Sequence, residues 1–90
     1  MPARVVVYTT DSCPYCTRAR RLLAAKNVSF EEVDVTGDAD RRRWLASATG
    51  RHTVPQVFIN GVAVGGSDDL AGLNESGRLD QLLAAEPPAP

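Results

Sequence analysis

Residues 11–20 read Asp-Ser-Cys-Pro-Tyr-Cys-Thr-Arg-Ala-Arg, and Cys13 and Cys16 within them are the two cysteines of the chain. Sulfurs two residues apart can close a disulfide on each other, hold a metal, or cycle between thiol and disulfide. A closed structural zinc site wants four Cys or His ligands, and the chain offers two Cys and a single histidine, His52. A permanent staple is also disfavoured, because a loop closed over two residues removes little freedom from the unfolded chain. Redox chemistry is left as the leading use, provided that the pair sits where a strand runs into a helix.

Pro14 suits the first position of such a helix, which makes Cys13 the N-cap and puts Cys16 at the third position. A thiolate at an N-cap can accept hydrogen bonds from the free N–H groups of Tyr15 and Cys16, and the helix dipole favours its charge. Cys16 falls on the stripe of Ala19 and Leu23 and so faces inward. These placements make Cys13 the nucleophile and Cys16 the resolving thiol. Tyr15 lies off that stripe and is expected on the surface, as a ring against which a substrate packs. Arg18, Arg20 and Arg21 read as a solvated face, His52 as an exposed histidine without a catalytic part, and Trp44 as a core residue.

The elements that must position the pair follow from periodicity. Val5 to Tyr8 is a β-branched apolar run and reads as a buried strand, with Thr9 to Ser12 as the loop into the helix. Asn27 suits the end of that helix, Phe30 to Val35 is a second strand, and a second helix is predicted over about Ala39 to Ala48, stopped by Gly50. Pro55 opens a strand over Gln56 to Ile59; Asn60-Gly61 marks a hairpin, and Val62 to Val64 return. Ser67 is a good N-cap for a third helix, which Gly77 should interrupt before a short one around Leu79 to Ala85. The order β-α-β-α-β-β-α predicts two parallel strands and an antiparallel hairpin. This is an α/β chain, a four-stranded mixed sheet flanked by helices that resembles the thioredoxin-like fold. Residues 1–86 are expected to form one domain, with residues 87–90 a flexible tail.

Ten Lys and Arg against eleven Asp and Glu leave a net charge of -1, which gives no field for nucleic acid or an anionic membrane. No apolar run approaches the ~18 residues that a span requires. The opening residues run directly into a strand-like segment with no export signal, so the expected location is the cytoplasm.

Cys-Pro-Tyr-Cys after Tyr8-Thr9-Thr10, Thr-Val-Pro-Gln-Val-Phe-Ile-Asn-Gly at 53–61 and Gly-Gly-Ser-Asp-Asp-Leu at 65–70 together resemble the glutaredoxins, in particular the small bacterial dithiol type. The resemblance covers the chain apart from its last five residues. It implies a thioredoxin-like fold and glutathione-dependent reduction of protein disulfides and glutathionylated proteins, with glutathione as co-substrate, no bound cofactor, no metal, and a monomer as the working unit. It further implies a cis Val54–Pro55 bond facing the cysteines, so that Val54 can pair with the cysteinyl part of glutathione as a short strand. The N–H groups of Ser67 and Asp68 would take the γ-glutamyl carboxylate and the Asp68 side chain the ammonium, with Tyr15, Thr53, Pro55 and Gly66 lining the site. Where the family commonly has Lys for the glycyl carboxylate, this chain has Thr10; Arg42, with Arg51, is the expected replacement. Some relatives carry a third Cys where this chain has Ser67. The change at Thr10 leaves mycothiol as an alternative thiol. A dimer bridging an iron–sulfur cluster is a further alternative, against which Pro14 argues. A flavoprotein-fed thioredoxin would want Trp-Cys-Gly-Pro-Cys.

Overall fold

The computed structural model describes residues 3–87; residues 88–90 of the expected tail lie outside the described residues. Eight elements follow one another: β1 (Val5–Thr9), α1 (Pro14–Ala25), β2 (Glu31–Asp34), α2 (Ala39–Thr49), β3 (Gln56–Ile59), β4 (Val62–Gly65), α3 (Ser67–Glu75) and α4 (Arg78–Ala84). The sheet order is β2-β1-β3-β4. β1 runs parallel to β2 and antiparallel to β3, and β3 and β4 form the antiparallel hairpin. This is the thioredoxin-like arrangement expected from the order of elements.

Strand composition follows position in the sheet. The central strands β1 and β3 carry the apolar runs, and Val5, Val7, Val57 and Ile59 are buried on one face. The edge strand β2 is mostly exposed and acidic, with Glu31, Glu32 and Asp34, a composition that discourages further strand pairing. α1, α3 and α4 cover the buried face through Ala19, Leu23, Leu70, Leu79 and Leu83. Asn60 and Gly61 both take positive φ (52° and 82°), as a tight hairpin turn requires. The Asn60 side chain also ties both ends of the described chain together, accepting from Arg4 N and donating to the Ala85 carbonyl.

Four expectations change in detail. Trp44 is half exposed, because α2 buries only Leu45 and lies on the thinner side of the sheet. There its indole packs against Tyr8 and Phe58, with ring centroids 5.6 and 6.0 Å away, and covers the second face as a lid. Thr9 belongs to β1, not to the loop, since its backbone stays paired with β2 and its hydroxyl donates to Glu32. Phe30 and Val35 flank β2 instead of lying within it. Finally, Ser67 is the first residue of α3 and Gly66 is its N-cap.

Candidate active site

Cys13 lies at the C-terminal end of β1, on the loop that turns into α1. Its backbone is extended (φ -108°, ψ 105°), Pro14 follows as the first helical residue, and the Cys16 N–H donates to the Cys13 sulfur at 3.2 Å. Of the two N–H groups offered by the sequence, Cys16's is the one that reaches the sulfur. A negative charge on that sulfur would be met by a hydrogen bond and by the positive end of the helix dipole. Both cysteines are free thiols: Cys13 half-buried, Cys16 buried on the stripe with Ala19 and Leu23.

The Cys16 thiol is pushed up to about 11, first by burial and next by its hydrogen bond with Cys13; the Thr10 backbone pulls the other way, and after it come the Cys13 charge, which raises, and the Arg20 charge, which lowers. The buried Cys16 sulfur keeps its proton at neutral pH. Facing the pair is the Val54–Pro55 turn, whose peptide bond is cis. The Cys13 thiol points at the Val54 carbonyl, 3.8 Å away. Gln56 is fully buried beneath this turn and holds it by donating to the Thr53 carbonyl at 3.0 Å.

A slot of about 220 Å³ opens next to this turn, lined by Tyr15, Arg51, Thr53, Val54, Pro55, Gly66, Ser67, Asp68 and Asp69. All the substrate-side residues singled out from the sequence except Arg42 therefore meet in one place. Tyr15 is half exposed, with the Arg18 guanidinium 5.2 Å above its ring. Arg42 lines a larger concavity of about 580 Å³ beside α2, with Arg43, Arg51, His52, Thr53 and Val54, and donates to the His52 carbonyl at 3.2 Å. The two hollows share Arg51, Thr53 and Val54, so Arg42 sits at the far side of the turn.

The start of α3 forms the other wall. Asp69 accepts from the Gly66 N–H at 2.9 Å and from Arg51 at 2.5 and 3.4 Å. Arg51 first, and then the Gly66 N–H, hold the Asp69 carboxyl below the usual carboxylate range, and Asp69 in turn raises Arg51. Arg51, expected at the glycyl end of a ligand, is thus tied to the α3 end instead. Sequence reasoning treated Asp69 only as a first-turn acid. Its spacing of three residues from Gly66 is the capping-box signal that could have revealed the bond to Gly66 N. The partnership with Arg51, eighteen residues away, left no local trace. His52 is exposed, and among the described residues no cluster of three His, Cys, Asp or Glu could hold a metal ion. Among those residues, too, no helix is long and apolar enough to cross a membrane.

This arrangement matches known proteins closely. The glutaredoxin family model matches residues 5–64, a span that includes both cysteines and the Thr53–Pro55 turn. Glutaredoxin 3 of Escherichia coli K12 is 48% identical over 81 residues, which cover 90% of this chain and 98% of that protein. The solution structure of the glutaredoxin from Brucella melitensis superposes with a TM-score of 0.83 at 44% identity, covering 92% of this chain and 90% of the other. The crystal structure of a buckwheat glutaredoxin–glutathione complex does so with a TM-score of 0.84 at 28% identity, covering 90% and 76%. An N-capping cysteine with a buried partner, set against a cis-proline turn, and this likeness along nearly the whole chain have one conclusion: the chain belongs to the glutaredoxin family of thiol–disulfide oxidoreductases.

Proposed function

We propose that the chain reduces protein disulfides and glutathionylated proteins with glutathione as its co-substrate and no bound cofactor, as a monomer in the reducing cytoplasm. The observation that carries this reading is the slot between Tyr15, the Thr53–Pro55 turn and the start of α3, one of whose lining residues, Val54, has its carbonyl 3.8 Å from the Cys13 sulfur. The buckwheat relative of the same fold, whose structure is a complex with glutathione, supports it.

In the first step the Cys13 thiolate attacks the glutathionyl sulfur of a mixed disulfide. A Cys13–glutathionyl disulfide forms and the protein thiolate leaves, taking a proton from water. A second glutathione thiolate then attacks the bound glutathionyl sulfur, giving glutathione disulfide and restoring Cys13. With a protein disulfide, Cys13 forms the mixed disulfide with the protein. Cys16 gives up its proton and attacks the Cys13 sulfur; the substrate leaves with both sulfurs reduced, and Cys13 and Cys16 are joined. Two glutathiones return that pair to thiols, so two electrons pass in each cycle.

The cause of the high Cys16 value suggests how the second thiol is timed. Part of it is the hydrogen bond and charge of Cys13. Once the Cys13 sulfur is bonded into a mixed disulfide, that charge is gone, while burial, the larger cause, remains. Loss of the Cys16 proton is then eased at the stage where Cys16 has a disulfide to resolve.

Within the slot, Val54 would pair with the cysteinyl backbone of glutathione, and the first N–H groups of α3 at Ser67 and Asp68 would take the γ-glutamyl carboxylate. The Asp68 side chain, with no partner among the described residues, would take the ammonium. Arg42 would serve the glycyl carboxylate from across the turn. The test is steady-state turnover of a glutathionylated peptide by the wild type and Asp68→Ala. Loss of one charge-assisted hydrogen bond at an exposed site should raise the KM for glutathione by up to about ten-fold, with little change in kcat. An unaltered KM, or faster turnover by the wild type with mycothiol than with glutathione, would overturn the glutathione reading.

A further inference from the structure

We infer that Arg51 sets the charge of the slot: by neutralising Asp69 it leaves Asp68 as the single uncompensated carboxylate there, and so fits the slot to a zwitterionic amino-acid head group. This inference rests on the glutathione reading above. Three charged side chains line the slot, Arg51, Asp68 and Asp69. Asp69 cannot be dispensed with, because its Oδ2 caps the Gly66 N–H at the entry to α3. Its packing is also tight: a Cβ on Gly65 would lie 2.5 Å from Oδ2. Asp69 is therefore fixed where a bare carboxylate would face any anionic group bound at the α3 N–H groups.

The two terminal Arg51 nitrogens donate one to each Asp69 oxygen, at 2.5 and 3.4 Å, which offsets that charge in place. The pair also spans the slot, joining the segment before the Thr53–Pro55 turn to the first turn of α3. What remains for a ligand is one anion, Asp68, beside one electropositive helix start. A carboxylate and an ammonium on the same carbon complement those two features; a simple thiol has neither.

The test uses Cys16→Ser protein, in which Cys13 can be trapped, and compares its rate constants with glutathione disulfide and with 2-hydroxyethyl disulfide. Their ratio isolates the head group from the sulfur chemistry. Arg51→Gln should lower the ratio roughly three- to ten-fold, the effect of about one exposed unit charge at about 4–6 Å. Asn at position 69 keeps an oxygen for the Gly66 N–H and drops the charge, so Asp69→Asn added to Arg51→Gln should restore most of the ratio. Arg4→Gln, at the opposite end of β1, removes the same net charge and should leave the ratio alone. An unchanged ratio in Arg51→Gln, an equal loss with both disulfides, no recovery on adding Asp69→Asn, or an equal effect from Arg4→Gln would each overturn the inference. A parent Cys16→Ser protein that shows no preference for glutathione disulfide would instead overturn the glutathione reading, and the inference with it.

Discussion

Gly65→Ala probes the join between the hairpin and α3. Gly65 has φ +111°, and a Cβ there would lie 2.5 Å from Asp69 Oδ2 and 2.6 Å from its Cγ. The backbone penalty for an L side chain in that region is about 1–2 kcal/mol. Relief of the clash requires the Asp69 carboxylate to swing away from the Gly66 N–H, which forfeits a hydrogen bond worth about 0.5–1.5 kcal/mol. The stiffer unfolded chain of the Ala variant returns about 0.4–1 kcal/mol. The net loss should be about 0.5–3 kcal/mol, seen as a lower urea midpoint with an unchanged slope and a Tm reduced by at least about 2 °C. Gly72→Ala is the control: it lies within α3, nothing stands within 4 Å of its added Cβ, and it should stabilise the chain by about 0.5–1 kcal/mol. If Gly65→Ala were as stable as the wild type or more so, Asp69 would be free to move and the tight packing of the slot would be wrong.

The pH dependence of stability should carry the signature of Cys16. Its thiol is raised from 9.0 to about 11 in the folded chain, so the folded state keeps a proton that the unfolded state loses. Stability from this group is complete below pH about 9 and declines as pH rises towards about 11, by roughly 2–3 kcal/mol in total. Urea unfolding under reducing conditions, with Cys16→Ala as reference, checks this; parallel pH profiles for the two proteins would refute it. At the site, Thr10→Lys should lower the KM for glutathione by about 1.4- to 5-fold at low ionic strength, with the gain shrinking as salt is added. An unchanged KM at low salt would show that no ligand carboxylate lies near position 10.

The sequence made the scaffold legible because its signals are local. Asn60-Gly61 specified the hairpin, Pro14 the start of α1, and the Cys16–Ala19–Leu23 stripe its buried side. Periodicity says which way a side chain turns, but not how much lies above it. Trp44 turns towards the sheet, yet ends half exposed because, among the described residues, α2 is the only helix on that face. The cysteine site was readable for the same local reason, since both sulfurs sit on one helical turn. The far wall was less so. Ser67 looked like the cap by residue type, whereas the Asp69 carboxylate, reaching back three residues, makes Gly66 the cap. Which of Arg42 and Arg51 meets a ligand carboxylate depends on pairings across the fold: Arg42 with the His52 carbonyl and Arg51 with Asp69.

The division of labour between the two sulfurs is tested most directly by intact-mass analysis of Cys13→Ser and Cys16→Ser after exposure to glutathione disulfide, with turnover followed in parallel. Cys16→Ser should carry one glutathionyl group, mapped to Cys13, and should still deglutathionylate a peptide while losing reduction of protein disulfides without added glutathione. Cys13→Ser should carry none and turn over neither substrate. A glutathionyl group on Cys16, or equal loss of both reactions in the two variants, would contradict the assignment of Cys13 as nucleophile and Cys16 as the thiol that resolves.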